Sequence, residues 1–136
     1  MDLLAEISRG CRLRCAILTE PGPAGRLKTS RFLLDGVEQA GFSYDPAHAP
    51  CANVLSYGAF LIPNGVQVLF PDDPGLKKVA AQCYLGIRRS NGGHLCLLDP
   101  QPWSPERLDT PELPNLLGRE FTDTLLFLQA LVRKLD

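Results

Sequence analysis

The chain has 136 residues, 45% hydrophobic and 21% charged, with a formal net charge of −1, an ordinary globular balance. That length buries one core without help from a metal or a disulfide, and the near-neutral charge excludes a global pull toward nucleic acid or a membrane surface. Twelve prolines and twelve glycines predict many turns and few long elements.

The N-terminus, MDLLAEISRG, lacks the basic and apolar segments of a secretory signal. Leu3, Leu4 and Ile7 predict a short helix over Asp2–Arg9 that Gly10 ends. Cys11–Thr19 alternates apolar and basic residues and predicts a strand with one wet face. Glu20–Gly25, EPGPAG, is a loop. Arg26–Asp35 favours a strand with a turn at Asp35-Gly36 and a return over Val37–Tyr44. A helix over Leu27–Ala40 is the alternative, weakened by Gly36 inside it. Asp45–Pro50 reads as loop.

Asn64-Gly65 lies between the apolar runs Ala59–Ile62 and Val66–Phe70. The pair suits a type I′ turn, and Val66, Val68 and Phe70 alternate as in a half-buried strand, so a hairpin is expected here. Residues 76–89 fit two templates. Leu76, Val79, Ala80 and Cys83 fit a helix capped by Asp73 with Pro74 at its first position; Cys83, Leu85 and Ile87 fit a strand. Ser90–Gly93 reads as a hairpin turn into His94–Leu98, which favours the strand for residues 82–89. After a Pro-rich crossing over residues 99–114, Asn115–Leu135 predicts a long helix. Leu117, Phe121, Leu125, Leu128, Val132 and Leu135 form its apolar stripe, and Phe127 and Leu131 form a second shoulder.

The expected fold is α+β: an antiparallel meander of four to six strands with a long C-terminal helix, in a single domain over residues 1–136. One variant is a small, partly closed barrel of OB type. No apolar run reaches the roughly 18 residues of a membrane span, and five cysteines without a signal suit a reducing compartment. The expected location is cytoplasmic or nuclear.

Function is read from constellations, and none is complete. Cys11, Cys15, His48 and Cys51 supply four metal-ligand types, but on a strand Cys11 and Cys15 would stand about 13 Å apart, too far for one ion. His94 and Cys96 share a strand face near Asp99, as a thiol and its base would, without an oxyanion hole in the local sequence. Gly22, Gly25 and Lys28-Thr29 miss the phosphate-loop spacing.

Charge is segregated. Residues 1–34 and 77–99 each carry a surplus of three bases, whereas residues 35–76 carry five acids and no base. Arg12, Arg14, Lys28, Arg31, Arg88 and Arg89 would line a basic face for single-stranded nucleic acid, with aromatic side chains as stacking platforms. The plainer reading of such runs is solvated surface.

The leading expectation is a non-catalytic protein-interaction module, without cofactor: a small subunit, adaptor or chaperone of a larger assembly. It would bind a protein partner, or itself, through sheet edges and the helix residues Phe121, Leu125, Phe127, Leu128, Leu131 and Val132. A nucleic-acid-binding OB-like module is the alternative, followed by a small zinc-binding protein or a cysteine hydrolase.

Overall fold

A computed structural model describes residues 3–10 and 12–103. Its frame is one antiparallel sheet of seven strands: β1 (Cys15–Pro21), β2 (Leu27–Leu34), β3 (Val37–Glu38), β4 (Ser43–Tyr44), β5 (Ala59–Ile62), β6 (Cys83–Arg88) and β7 (His94–Asp99). The spatial order is β3-β2-β1-β7-β6-β5, with β4 also paired to β2. The outer strands β3 and β5 do not meet, so the sheet is open rather than an OB-type barrel. Among the described residues four short α-helices accompany it: α1 (Leu3–Gly10), α2 (Cys51–Tyr57), α3 (Val66–Leu69) and α4 (Pro74–Lys78).

Both faces of the central strands are buried. Ala16, Leu18, Leu33, Cys83, Leu85, Ile87, Leu95 and Leu97 pack on one face with Leu4 and Ile7 of α1 and with Trp103. Cys15, Tyr84, Cys96 and Leu98 pack on the other with Val54 of α2, Val66 of α3 and Leu76 of α4. The registers explain the sorting. Ala16 lies opposite Leu97 and Leu85 opposite Leu97, while Cys15 and Tyr84 both lie opposite Leu98. Directly opposed residues share a face, so one alternation runs across three strands. The expected wet face on β1 is therefore absent: Arg12 takes a positive φ of 56° and the Leu13 amide donates to the Ser8 carbonyl. This turn delays the strand to Cys15, where helices already cover both faces.

Several local expectations hold. Asp35 and Gly36 have φ of 52° and 78°, the double positive φ of a type I′ turn, and they join β2 to β3. The Asp73 side chain accepts from the Gly75 amide, with Pro74 opening α4. Residues 76–89 divide between the two templates, the helix ending at Lys78 and β6 beginning at Cys83.

The hairpin expected at Asn64-Gly65 does not form. Ala59–Ile62 pairs with Tyr84–Ile87 of β6, and Val66–Leu69 is helical. Burial decides the outcome. One helical turn puts Val66 in the core with Phe70 beside it and sends Val68 outward, 81% exposed; a strand would have put all three on one face. The Val66 amide then donates to the Gln82 carbonyl. Helix α2 was unpredicted. Its signal was Gly58, which takes φ 87° and donates its N–H to the Val54 carbonyl, the left-handed stop that suits glycine. The helix expected over Asn115–Leu135 lies outside the described residues.

Candidate functional site

An open cleft of about 710 Å³ lies on the α2 face of the sheet. Ile17, Phe32, Tyr84, Cys96 and Leu98 form its floor; Tyr44 and Cys51 close one end, and Leu76 and Val79 form the α4 side. Charge is confined to lining residues from the loops and α4: Arg26, Asp45, Asp72, Asp73 and Lys78.

Two glycines bring the chemistry of this cleft together. A Cβ at Gly86 on β6 would collide with a Val54 methyl and the Tyr84 ring, so its absence lets α2 settle directly on the sheet. A Cβ at Gly93 would run into the Thr19 carbonyl, so glycine there lets the ends of β1 and β7 close. A register shift between Leu18 and Thr19 accompanies that approach. Asp45 caps the 3-10 turn Pro46–His48 by accepting from the Ala47 amide, and this turn feeds the chain into α2 at Cys51.

Cys51, His94 and Thr19 meet as a result. His94 Nε2 lies 3.0 Å from Cys51 Sγ. The Thr19 hydroxyl lies against His94 Nδ1 and accepts from the His94 amide at 2.9 Å. The Tyr44 hydroxyl is 3.2 Å from the same sulfur, and the Tyr84 hydroxyl donates to it at 3.6 Å. Thr19 and His94 are wholly buried. Two proton arrangements satisfy the imidazole. Either Nδ1–H donates to Thr19 and Nε2 accepts the thiol proton, or Thr19 donates to Nδ1 and Nε2–H donates to sulfur.

The resting site is neutral. Burial pushes the Cys51 thiol up against the pull of the Tyr44 and Tyr84 hydrogen bonds. Burial, helped by the Arg89 charge, lowers His94 to about 4. Desolvation raises Tyr44, Tyr84 and Cys96 as well, because a charge in this apolar end of the cleft loses its hydration.

The sequence pair His94 and Cys96 lies on one face as expected, but the histidine engages Cys51 rather than Cys96. Asp99, close by in the sequence, accepts from the Arg14 and Gln101 amides. Of the metal candidates, Cys11 lies outside the described residues, while Cys15 and Cys51 are buried in separate clusters. Among the described residues no group of three or more His, Cys, Asp or Glu side chains is gathered as a metal site.

The basic residues are engaged within the fold. Arg14 pairs with Asp35, Lys28 with Glu20 and Arg31 with Glu38. Arg88 donates to the Leu55 carbonyl and Arg89 to the Thr19 carbonyl; Arg12 lies in the turn before β1. Phe121, Leu125, Phe127, Leu128, Leu131 and Val132 lie outside the described residues.

A second surface feature is apolar. Tyr57 at the end of α2 is 76% exposed, and Leu61 of β5 with Val68 and Leu69 of α3 are also exposed. They lie on or next in sequence to β5, the outermost strand on that side of the sheet among the described residues. Among the described residues no helix is long and apolar enough to cross a membrane. No protein-family model and no curated protein matches this chain.

Proposed function

We propose that this chain is a binding module whose cleft takes one small apolar molecule. The observation that carries this reading is the cleft of about 710 Å³, with an apolar floor and hydroxyl and thiol groups gathered at one end. Small-molecule sites are concave, run from roughly 300 to 1,000 Å³ and combine apolar walls with a few convergent polar groups. A flat protein interface has no need of such depth. Binding would be driven by transfer of apolar surface from water, with the polar end selecting a ligand that carries one hydrogen-bonding head.

The test is titration of the full chain with the apolar fluorophore 8-anilinonaphthalene-1-sulfonate under native conditions. Saturable binding at one site, strongly weakened in Ala40→Trp, is expected. Ala40 is an exposed residue of the cleft lining, so a large side chain there obstructs the mouth without entering the core. No saturable binding, or binding indifferent to Ala40→Trp, would refute the reading.

The exposed apolar residues beside β5 favour a second reading, the protein-interaction module. A strand that is outermost among the described residues offers amides and carbonyls for strand addition, and Leu61, Val68 and Leu69 would be covered by the added segment. Sedimentation and hydrogen exchange of wild type and Val68→Lys/Leu69→Lys test it: loss of an assembly, with loss of amide protection in Ala59–Ile62, is the expected effect of the double variant. A wild type that is monomeric with every other purified cell component would end it.

A further inference from the structure

We propose that Cys51 is an acyl-accepting nucleophile and that the ligand class of the cleft is an apolar ester or thioester, with His94 as base, Thr19 as the residue that positions His94, and the Tyr44 and Tyr84 hydroxyls as donors to the carbonyl oxygen. This inference rests on the reading of the cleft as a small-molecule site, and names what that site takes.

Three observations converge. The nucleophile–base–orienter chain is assembled from separate elements: Cys51 Sγ at 3.0 Å from His94 Nε2, and His94 Nδ1 on the Thr19 hydroxyl. Nucleophilic catalysis needs a thiol and base in hydrogen-bond reach, with a third group orienting the base. Cys51 is also one of the cleft-lining residues, together with Ile17, Phe32 and Leu98 of the apolar floor, where an acyl chain would lie. Finally, the fully buried Tyr84 hydroxyl hydrogen-bonds, among the described residues, only to the Cys51 and Cys96 thiols. Sulfur is a weak acceptor, so this donor has capacity in reserve for an oxygen. Tyr44 stands on the same sulfur at 3.2 Å. Two hydroxyls aimed at the nucleophile are placed to turn to the oxygen of a carbonyl carbon bonded to it, as an oxyanion hole requires.

The steps balance. The Cys51 thiol gives its proton to His94 Nε2 as the sulfur lone pair bonds to the acyl carbon. The carbonyl π pair moves onto oxygen, which accepts from Tyr44 and Tyr84. Collapse re-forms the carbonyl and breaks the bond to the alcohol or thiol leaving group, which takes the proton from His94. Water, giving a proton to His94, then attacks the thioester. Collapse returns that proton to Cys51 sulfur and releases the acid.

The resting pair is neutral, with His94 lowered to about 4 and the Cys51 thiol raised, so acylation should rise as pH passes through about 4 and stay level from 6 to 9, where both groups keep the neutral forms that react. The groups that set this profile are Tyr44, Tyr84, Cys96 and Asp73 around Cys51, and Arg89 near His94.

The experiment uses the full chain with p-nitrophenyl octanoate. A burst of one p-nitrophenolate per chain is expected, with an intact-mass gain of one octanoyl group mapped by peptide analysis to Cys51. Cys51→Ala should abolish the burst, and His94→Gln should slow it about 100-fold, the lower range of general-base effects. Thr19→Val should slow it less and shift its pH profile, which a purely structural role would not do. Should a variant fail to fold, the wild-type adduct map decides. Label spread over Cys15, Cys83 and Cys96, or Cys51 acylated no faster than in the urea-unfolded chain, overturns the proposal. Wild type that binds the fluorophore at one site yet is not acylated at Cys51 overturns this proposal and leaves the cleft reading standing. Absence of both signals overturns the two together.

Discussion

Acid should destabilise this protein through His94. The side chain is 0% exposed, and burial lowers its pKa from 6.5 to about 4. The folded pKa lies below the unfolded one, so between these values the unfolded chain binds more protons. Stability is then complete above pH 6.5 and is lost as pH falls toward 4. At about 1.4 kcal/mol per pKa unit, linkage gives a loss of roughly 2.5 kcal/mol between pH 7.5 and 4.5. That is a sizeable share of the 5–15 kcal/mol typical of a domain. Asp73 acts in the opposite sense, since burial raises its carboxyl above 3.8; its stabilising effect appears only as pH falls through the raised value, and solvent screening weakens it. Urea denaturation of wild type and His94→Gln at the two pH values isolates the His94 contribution, because groups unaffected by the substitution cancel in the difference. Glutamine offers both a donor and an acceptor but cannot charge. The variant is expected to be less stable at pH 7.5 and to show a pH slope smaller by roughly 2.5 kcal/mol over the interval. Equal slopes in the two proteins would refute the assignment of a buried neutral imidazole.

Three further perturbations separate the contributions to the fold. Gly93→Ala should lower stability by about 1–3 kcal/mol, because its methyl meets the Thr19 carbonyl; a urea midpoint equal to wild type would show that β1 and β7 close without that constraint. Leu97→Ala removes a fully buried side chain shared by three strands, and about 2–5 kcal/mol should be lost in the same assay. Arg31→Ala breaks a 2.6 Å pair with Glu38 on the surface, and less than about 1 kcal/mol should change; a larger loss would mean that the pair holds β3 in register.

What could be read along the chain was local chemistry. Asp35-Gly36, the Asp73 cap with Pro74, and the Ser90–Gly93 turn each act through their own backbone within a few residues, so their outcome does not wait for the fold. The cleft was hardly legible. His94 and Cys96 could be placed on one face by period-two alternation alone, but Cys51 stands 43 positions before His94 and Thr19 stands 75 before it. No periodicity joins them. The available signals were small: a helix stop at Gly58 and glycines at 86 and 93 where neighbours must approach.

Asn64-Gly65 shows the boundary between local preference and tertiary choice. The sequence by itself determined that the chain turns there, since Gly65 adopts its positive φ of 79°. Only the tertiary structure decided what the turn joins. Strand β5 found β6, and Val66 rolled into a helical turn beside Phe70. The reason is that a turn's φ preference is paid within its own residues, whereas strand partner and helix face are set by which arrangement buries the most apolar surface on both sides of one sheet.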